Sequence, residues 1–259
     1  MRKIMRVITA NVNGIRAAAR KGFFDWLALQ QADMVCLQET KAQMKELTDP
    51  IFRPSGLHCY YADANKSGYS GVGILSRQKP DRIISGLGFD HSDNEGRYIQ
   101  ADFGSLSIIS LYLPSGSSGE DRQKIKFDFM AHFMPVLKKM RQANRSFIIC
   151  GDWNIVHKEI DIKNFKSNQK NSGCLPAERA WLDDVFTQVG FVDAFRVINK
   201  EPDQYTWWSN RGQAYAKNVG WRIDYEIVTP DLKDKIKAVK IYKDQRFSDH
   251  APLIVDYDC

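Results

Sequence analysis

Ser146-Phe147-Ile148-Ile149-Cys150-Gly151-Asp152-Trp153-Asn154 is the stretch on which the reading of this chain turns. Phe147 to Cys150 pass without a polar break, as in a strand covered on both faces rather than one with a wet side. Beyond Gly151, an Asp and an Asn fall where the strand gives way to a loop. Two residues apart on an extended backbone, Asp152 and Asn154 point to the same side. A carboxylate and an amide aimed into one pocket can hold a water and a phosphate oxygen side by side. In isolation, Gly-Asp-x-Asn is more often a turn capped by its own side chains, so its meaning depends on the rest of the chain.

Working outward, short apolar runs with turn punctuation predict strands at residues 4–10, 34–38, 57–61, 71–75, 98–103, 106–113, 147–150, 205–208, 223–228, 238–242 and 253–257. Helical periodicity covers 15–31 and 121–143. The second of these places Ile125, Phe129, Phe133, Val136, Leu137 and Met140 on one face and is expected to kink at Pro135. A third helix, 176–189, starts at Pro176 with Glu178 in its first turn. The strands fall into two groups, before and after residue 145. No Pro/Ser-rich linker divides them, which predicts a single domain over 1–259. The longest turn-rich segment, 158–175, carries Lys163, Lys166 and Lys170, and a loop of that length in a compact domain is usually functional or disordered.

With 259 residues the chain has surface enough to bury a large core, and its 43% hydrophobic and 26% charged content is that of a globular protein. A net charge of +6 permits a polyanionic partner without demanding one. Five scattered cysteines (Cys36, Cys59, Cys150, Cys174 and Cys259), with no CxxC pair, point to free thiols in a reducing compartment. The chain opens with Arg2 and Lys3, but Arg6 and Asn11 interrupt any signal-peptide core. No run approaches a membrane span. The expectation is a soluble, cytoplasmic protein, nucleoid-associated if bacterial, with no membrane partner.

Six polar signals fall at or just beyond predicted strand ends: Asn11 with Asn13, Glu39, Tyr112, Asp152 with Asn154, Asp224, and Asp249 with His250. Each alone has a plain reading as a turn or a solvated strand terminus. Gathered by several strands, they make a pocket for water and a cation. Oxygen donors such as Glu39, Asn11 and Asp249 suit a hard cation, Mg²⁺ or Mn²⁺. No His/Cys cluster has zinc-ligand spacing, and no Gly-x-Ser-x-Gly sequence supports a serine nucleophile.

The ordered motifs Asn11-Val12-Asn13-Gly14-Ile15-Arg16, Leu37-Gln38-Glu39-Thr40-Lys41, Gly68-Tyr69-Ser70-Gly71-Val72-Gly73-Ile74-Leu75-Ser76, Gly151-Asp152-Trp153-Asn154, Asn218-Val219-Gly220-Trp221-Arg222-Ile223-Asp224-Tyr225 and Ser248-Asp249-His250-Ala251-Pro252 span the chain. In them the sequence resembles the exonuclease III family of apurinic/apyrimidinic (AP) endonucleases, within the wider endonuclease/exonuclease/phosphatase group. The resemblance implies an α/β fold like that of deoxyribonuclease I: a four-layer sandwich of two facing mixed β-sheets flanked by helices. It implies a Mg²⁺-dependent phosphodiesterase, with Mn²⁺ able to substitute. Cleavage would fall 5′ to abasic sites, with trimming of blocked 3′ ends and some 3′–5′ exonuclease activity. The implied partner is double-stranded DNA carrying those lesions, bound by a monomer.

The same resemblance implies residue roles. Glu39 would ligate the metal with Asn11 and Asp249 close by, and Asp152 and Asn154 would serve both the metal site and the attacking water. His250, held by Asp224, and Tyr112 would bond the phosphate. Arg16, Lys41, Tyr69 and Arg97 would grip backbone phosphates, joined by Asn168 and Asn171 from the long loop and by Arg211. Trp207, Trp221 and Ile223 would wall a pocket for a flipped-out, baseless sugar, whereas Trp208 is expected in the core. The chain departs from the pattern at three places: Asn13 stands where some relatives carry an acidic ligand, Ser115 where a longer amide is usual, and Arg211 where some carry an apolar wedge. Rival readings are a less specific nuclease, a lipid or inositol phosphodiesterase, and a catalytically weak damage-binding protein. The Tyr69 and Trp221 motifs weigh against the lipid or inositol reading and the complete set of proposed catalytic residues against the damage-binding one, which leaves the less specific nuclease as the remaining rival.

Overall fold

The computed structural model describes residues 4–258, so Arg2, Lys3 and Cys259 lie outside the described residues. In chain order the strands are β1 (Ile4–Asn11), β2 (Met34–Gln38), β3 (His58–Ala62), β4 (Val72–Ser76), β5 (Arg82–Ser85), β6 (Tyr98–Phe103) and β7 (Leu106–Tyr112). There follow β8 (Ser146–Asp152), β9 (Val192–Asp193), β10 (Trp207–Trp208), β11 (Gly220–Trp221), β12 (Asp224–Val228), β13 (Ile236–Ile241) and β14 (Leu253–Asp258). Two six-stranded sheets result, in the orders β13-β14-β1-β2-β4-β3 and β5-β6-β7-β8-β12-β9, with β10 and β11 as a separate ribbon. Both sheets are mixed: β1 runs parallel to β2 and β7 parallel to β8, while the other pairings are antiparallel.

The unbroken apolar run of β8 follows from this layering. Ile148 and Cys150 point between the sheets, in one cluster with Val7, Cys36 and Ile74. Phe147 and Ile149 point the other way, against Phe129, Phe133 and Leu137 of the helix Glu120–Gln142 and Leu182 and Val185 of the helix Pro176–Thr187. Strand β2 alternates likewise: Met34 and Cys36 face inward, and Val35 and Leu37 pack on Phe23, Trp26 and Leu27 of the helix Phe23–Gln30. Helix, sheet, sheet, helix is therefore the order of layers. A period-2 strand buried on both faces has no position for a polar side chain without a partner. Gln38 has two: its amide donates to Ser110 Oγ (2.9 Å) and accepts from Thr9 Oγ1 (3.1 Å), and Ser110 Oγ in turn donates to the Leu37 carbonyl (2.8 Å). These bonds tie the sheets together just below the end of β2.

The structure corrects several sequence readings. The two strand groups are not the two sheets, because the first sheet takes β13 and β14 from the C-terminal part of the chain and β1 to β4 from the N-terminal part. The expected helix 15–31 is two helices, Ile15–Arg20 and Phe23–Gln30, because Gly22 adopts a left-handed φ of +83° between them. The helix Glu120–Gln142 runs unbroken through Pro135, which lies on its exposed side. Its buried stripe passes through Lys126, not Ile125. The run 205–208 shortens to β10, and β5, β9 and β11 are strands too short or too polar at their ends to show as periodic runs.

Candidate active site

Register brings the predicted polar signals to one edge of the sandwich. In the first sheet Asn11 lies opposite Gln38, one residue before Glu39. In the second, Asp152 at the end of β8 lies between Tyr112 of β7 and Asp224 of β12. The segment before β14 returns to the first sheet and is pinned there by Ser248, whose Oγ donates to the Asn11 carbonyl (2.6 Å). Gly151 is required where β7 and β8 meet: a Cβ there would stand 2.0 Å from the Leu111 carbonyl oxygen.

The residues form one bonded network. Asn11 Nδ2 donates to both Glu39 Oε1 (2.7 Å) and Asp152 Oδ2 (2.9 Å). Asp152 Oδ1 accepts from the Asn154 backbone N–H (2.8 Å). The Asn154 amide donates to the Leu113 carbonyl (2.9 Å). His250 Nδ1 sits 2.8 Å from Asp224 Oδ2, and its Nε2 faces Asp152 Oδ2 at 3.9 Å. Burial lowers the pKa of His250, but Asp224, followed by Asp152 and Asp249, overcomes that and raises it to about 10, so the ring is an imidazolium at neutral pH. Asp152 moves the opposite way: burial, reinforced by the Asp224 and Glu39 charges, lifts it well above the usual carboxylate range despite the pull of His250. Burial raises Tyr112 far above an ordinary phenol, which keeps it a hydrogen-bond donor.

The donor set fits a divalent cation. Glu39, Asp152 and His250 each offer an atom within 4.8 Å of the others, and the repulsion that lifts Asp152 is what a cation would relieve. His250 is itself a cation bonded to Asp224, so the carboxyl groups open to such an ion are those of Glu39 and Asp152. Asn11 does not fit the ligand role expected of it. Its Oδ1 accepts from the Asn13 backbone N–H (3.0 Å), which turns the amide nitrogen toward the carboxylates. It orients Glu39 and Asp152 instead. Asp249 stands apart from the trio, with Oδ1 bonded by Asn13 Nδ2 (2.7 Å) and Oδ2 by Trp207 Nε1 (3.1 Å). Lys41 Nζ reaches Glu39 Oε2 (2.7 Å) and Asn13 Oδ1 (2.5 Å).

Local backbone conformation aims these groups. Asn13, Glu39, Lys41 and Asn154 all have φ between +42° and +51°, a region that costs a non-glycine residue on the order of 1–3 kcal/mol. Flanking bonds hold Glu39 and Lys41 there: the Gly14 and Ile15 N–H groups donate to the carbonyls of Glu39 and Thr40 (2.8 and 2.9 Å), and the Lys41 N–H to that of Ser70 (2.8 Å).

A cleft of about 940 Å³ opens above the network, and Trp207, Trp221 and Ile223 line one wall of it. The two indoles meet edge to face at 5.9 Å. Trp208, by contrast, is buried in the core, as expected. Lys41, Tyr112, Ser115, Asn171 and Arg211 also line the cleft, whereas Arg16, Tyr69 and Asn168 do not. Arg16 is exposed nearby, and Asn168 is spent on the carbonyls of Lys163 and Asn164 (3.2 and 3.0 Å). Arg97 overturns its expected role. Only 1% exposed, it donates to Glu95 (2.6 Å), the Tyr112 carbonyl (3.0 Å) and the Tyr69 hydroxyl (3.0 Å), and it stacks on the Tyr112 ring at 4.6 Å. It props Tyr69 and Tyr112 and cannot reach a phosphate. Sequence reading missed Arg122, which donates to the same Tyr69 hydroxyl (2.5 Å), and the cleft residues Gln123 and Ser172. Only their amphipathic-helix and loop positions were visible.

Residues 8–250 match the Endonuclease/Exonuclease/phosphatase family. An exodeoxyribonuclease of Bacillus subtilis is 38% identical over 251 residues, covering 96% of this chain and 98% of that one. A DNA-(apurinic or apyrimidinic site) endonuclease of Dictyostelium discoideum is 35% identical over 258 residues, covering 98% of this chain and 71% of its own. An AP endonuclease from Archaeoglobus fulgidus shares the fold at a TM-score of 0.89 and 25% identity, over 98% of this chain and all of the other. Among the described residues, no helix is long and apolar enough to cross a membrane.

Proposed function

The chain belongs to the endonuclease/exonuclease/phosphatase family, and from that premise we propose that it is a DNA-repair AP endonuclease. It hydrolyses the phosphodiester 5′ to an abasic site in duplex DNA, and it also acts as a 3′-phosphodiesterase, 3′-phosphatase and 3′–5′ exonuclease. The protein acts as a monomer, one domain over 1–259. The observation that carries this reading is one cleft in which the Asp152–His250 constellation stands beside an apolar wall of Trp207, Trp221 and Ile223. The polar part handles a phosphate. The apolar wall takes a sugar that has lost its base and excludes a normal nucleotide by size.

Asp152 accepts a proton from the attacking water, which the Asn154 Oδ1 helps to aim. The His250 imidazolium and the Tyr112 hydroxyl donate to the non-bridging phosphate oxygens as these gain charge. Asp224 keeps His250 charged and fixes its ring. Glu39 and Asp152 would hold Mg²⁺, or Mn²⁺ in its place. Such an ion would supply positive charge to offset that developing on the phosphate. Lys41 and Arg211 hold the flanking backbone, and Arg16, Tyr69 and Asn171 extend that contact.

Incision of matched abasic and intact duplexes, each with Mg²⁺ and with EDTA, tests the proposal. Mg²⁺-dependent cutting confined to the abasic strand is expected. Equal cutting of both duplexes would make the protein a general nuclease, and tight binding without incision would make it a damage-binding protein.

A further inference from the structure

We propose that the buried Lys126–Glu178 ion pair is a positioning centre that fixes Asn154 and the wall of the abasic-sugar pocket as one unit; the substrate in this statement rests on the functional reading above. Lys126 comes from the inner stripe of the helix Glu120–Gln142, and Glu178 from the first turn of the helix Pro176–Thr187. Both side chains are fully buried, with Nζ 2.6 Å from Glu178 Oε1. The ammonium also donates to the Asn154 carbonyl at 2.7 Å. Glu178 Oε2 accepts the backbone N–H groups of Gly173 (2.6 Å) and Leu175 (3.0 Å), and Oε1 accepts Gln123 Nε2 (3.0 Å).

The two ends of the pair meet again at Gly173. This residue has φ +90°, and a Cβ on it would lie 3.0 Å from the Asn154 carbonyl oxygen and 3.1 Å from the Trp221 ring. Its own carbonyl accepts the Val156 N–H (2.7 Å). The peptide after Asn154, the turn before Leu175 and the indole of Trp221 therefore share one contact chain whose fixed points are the two charges. Holding the two helices together does not require charge, because a buried ion pair can be exchanged for neutral groups of like volume with little loss. What neutral groups do not reproduce is this bonding: an ammonium on a backbone carbonyl, and a carboxylate on the amides of Gly173 and Leu175.

Lys126→Met leaves an uncompensated buried carboxylate and is prone to unfold, so the deciding protein is the double variant Lys126→Met/Glu178→Gln. Hydrogen–deuterium exchange of the free protein is read over residues 153–157 and 171–176. Thermal melting, and kcat and KM on abasic and intact duplexes with Mg²⁺, are measured alongside. The double variant should melt close to wild type, with exchange in both segments faster by about tenfold or more. A catalytic group displaced by about 1 Å loses on the order of 10²-fold in rate, so kcat on the abasic duplex should fall that far with KM nearly unchanged. The preference for abasic over intact DNA should narrow. Unaltered exchange in both segments would overturn the proposal whatever the substrate, as would fast exchange with unaltered kcat. If wild-type protein fails to incise the abasic duplex, the functional reading falls, and the exchange result alone decides whether the pair orders these segments.

Discussion

Asp161 offers a stability measurement whose sign and size follow from the structure. It is 1% exposed, and its Oδ1 accepts Arg222 Nε (2.7 Å) and Arg196 Nη2 (2.6 Å). Arg222, wholly buried, also donates to Asp193 (2.7 Å), and its backbone N–H donates to the Asp161 carbonyl (2.8 Å). Burial pushes the Asp161 pKa up, but the Arg222 and Arg196 guanidinium groups outweigh it and hold the carboxyl at about 2, against an ordinary 3.8. At about 1.4 kcal/mol per pH unit, that difference corresponds to about 2.5 kcal/mol of stability from the charged form. Because the folded pKa is depressed, this stability is fully present above pH 4 and is lost as pH falls toward 2. By the same linkage about half of it remains at pH 3. Asp161→Asn removes the charge and keeps the shape. It should lower stability at pH 7 by about 2.5 kcal/mol and the melting temperature by about 5–10 °C for a domain of this size. Urea unfolding of both proteins at pH 7, 4 and 3 is the assay, and the gap between their midpoints should close by about half at pH 3. A gap below about 1 kcal/mol at pH 7, or one constant from pH 7 to 3, would refute the assignment of Asp161 as the counter-ion of Arg222.

Further outcomes concern the cleft. Asp152→Asn should lower kcat by about 10²–10⁴-fold, the range for a general base, while abasic duplex binding measured by anisotropy stays near wild type; turnover above a tenth of wild type would show that Asp152 has another job. Glu39→Gln should raise the Mg²⁺ midpoint of activity, and excess Mg²⁺ should restore part of the rate; a midpoint that does not move would make Glu39 structural. Trp221 is only half-buried, so Trp221→Ala should cost less than the roughly 3–5 kcal/mol of a core tryptophan yet reduce the kcat/KM preference for abasic over intact DNA. A large fall in melting temperature with preference unchanged would assign Trp221 to the core.

Much of this site could be read from the chain because strand periodicity announces where strands end. A buried run such as Phe147–Cys150 must stop before the first charged residue, so Asp152 and, by the same logic, Glu39 and Asp224 were legible as strand-end groups. Which nitrogen or oxygen of a side chain faces the pocket was not. Asn11 has the composition of a ligand, but a backbone N–H from Asn13 captures its oxygen. Arg97 reads as a DNA contact until Glu95, two residues earlier, is seen to neutralise it inside the fold. Lys126 was hidden because a lysine on an apolar stripe looks like a flaw in the pattern unless its partner, 52 positions away at Glu178, is known to face it. Sheet membership was equally hidden: pairing of β14 with β1 joins segments almost the whole chain apart, and no local signal encodes such a contact.

That last pairing has a consequence for the order in which the protein is made. β14 is an interior strand, flanked by β13 and β1, with Ile4 opposite Asp258. During synthesis Glu39 and Asp152 emerge early, but the segment carrying His250 can be set against β1 only when the strand that follows it has been added. A chain that ends between Asp152 and His250 has both carboxylates without their imidazolium and a sheet with a missing interior strand. Seating of the imidazolium beside Asp224 and Asp152 is thus tied to closure of the first sheet around its interior strand, β14.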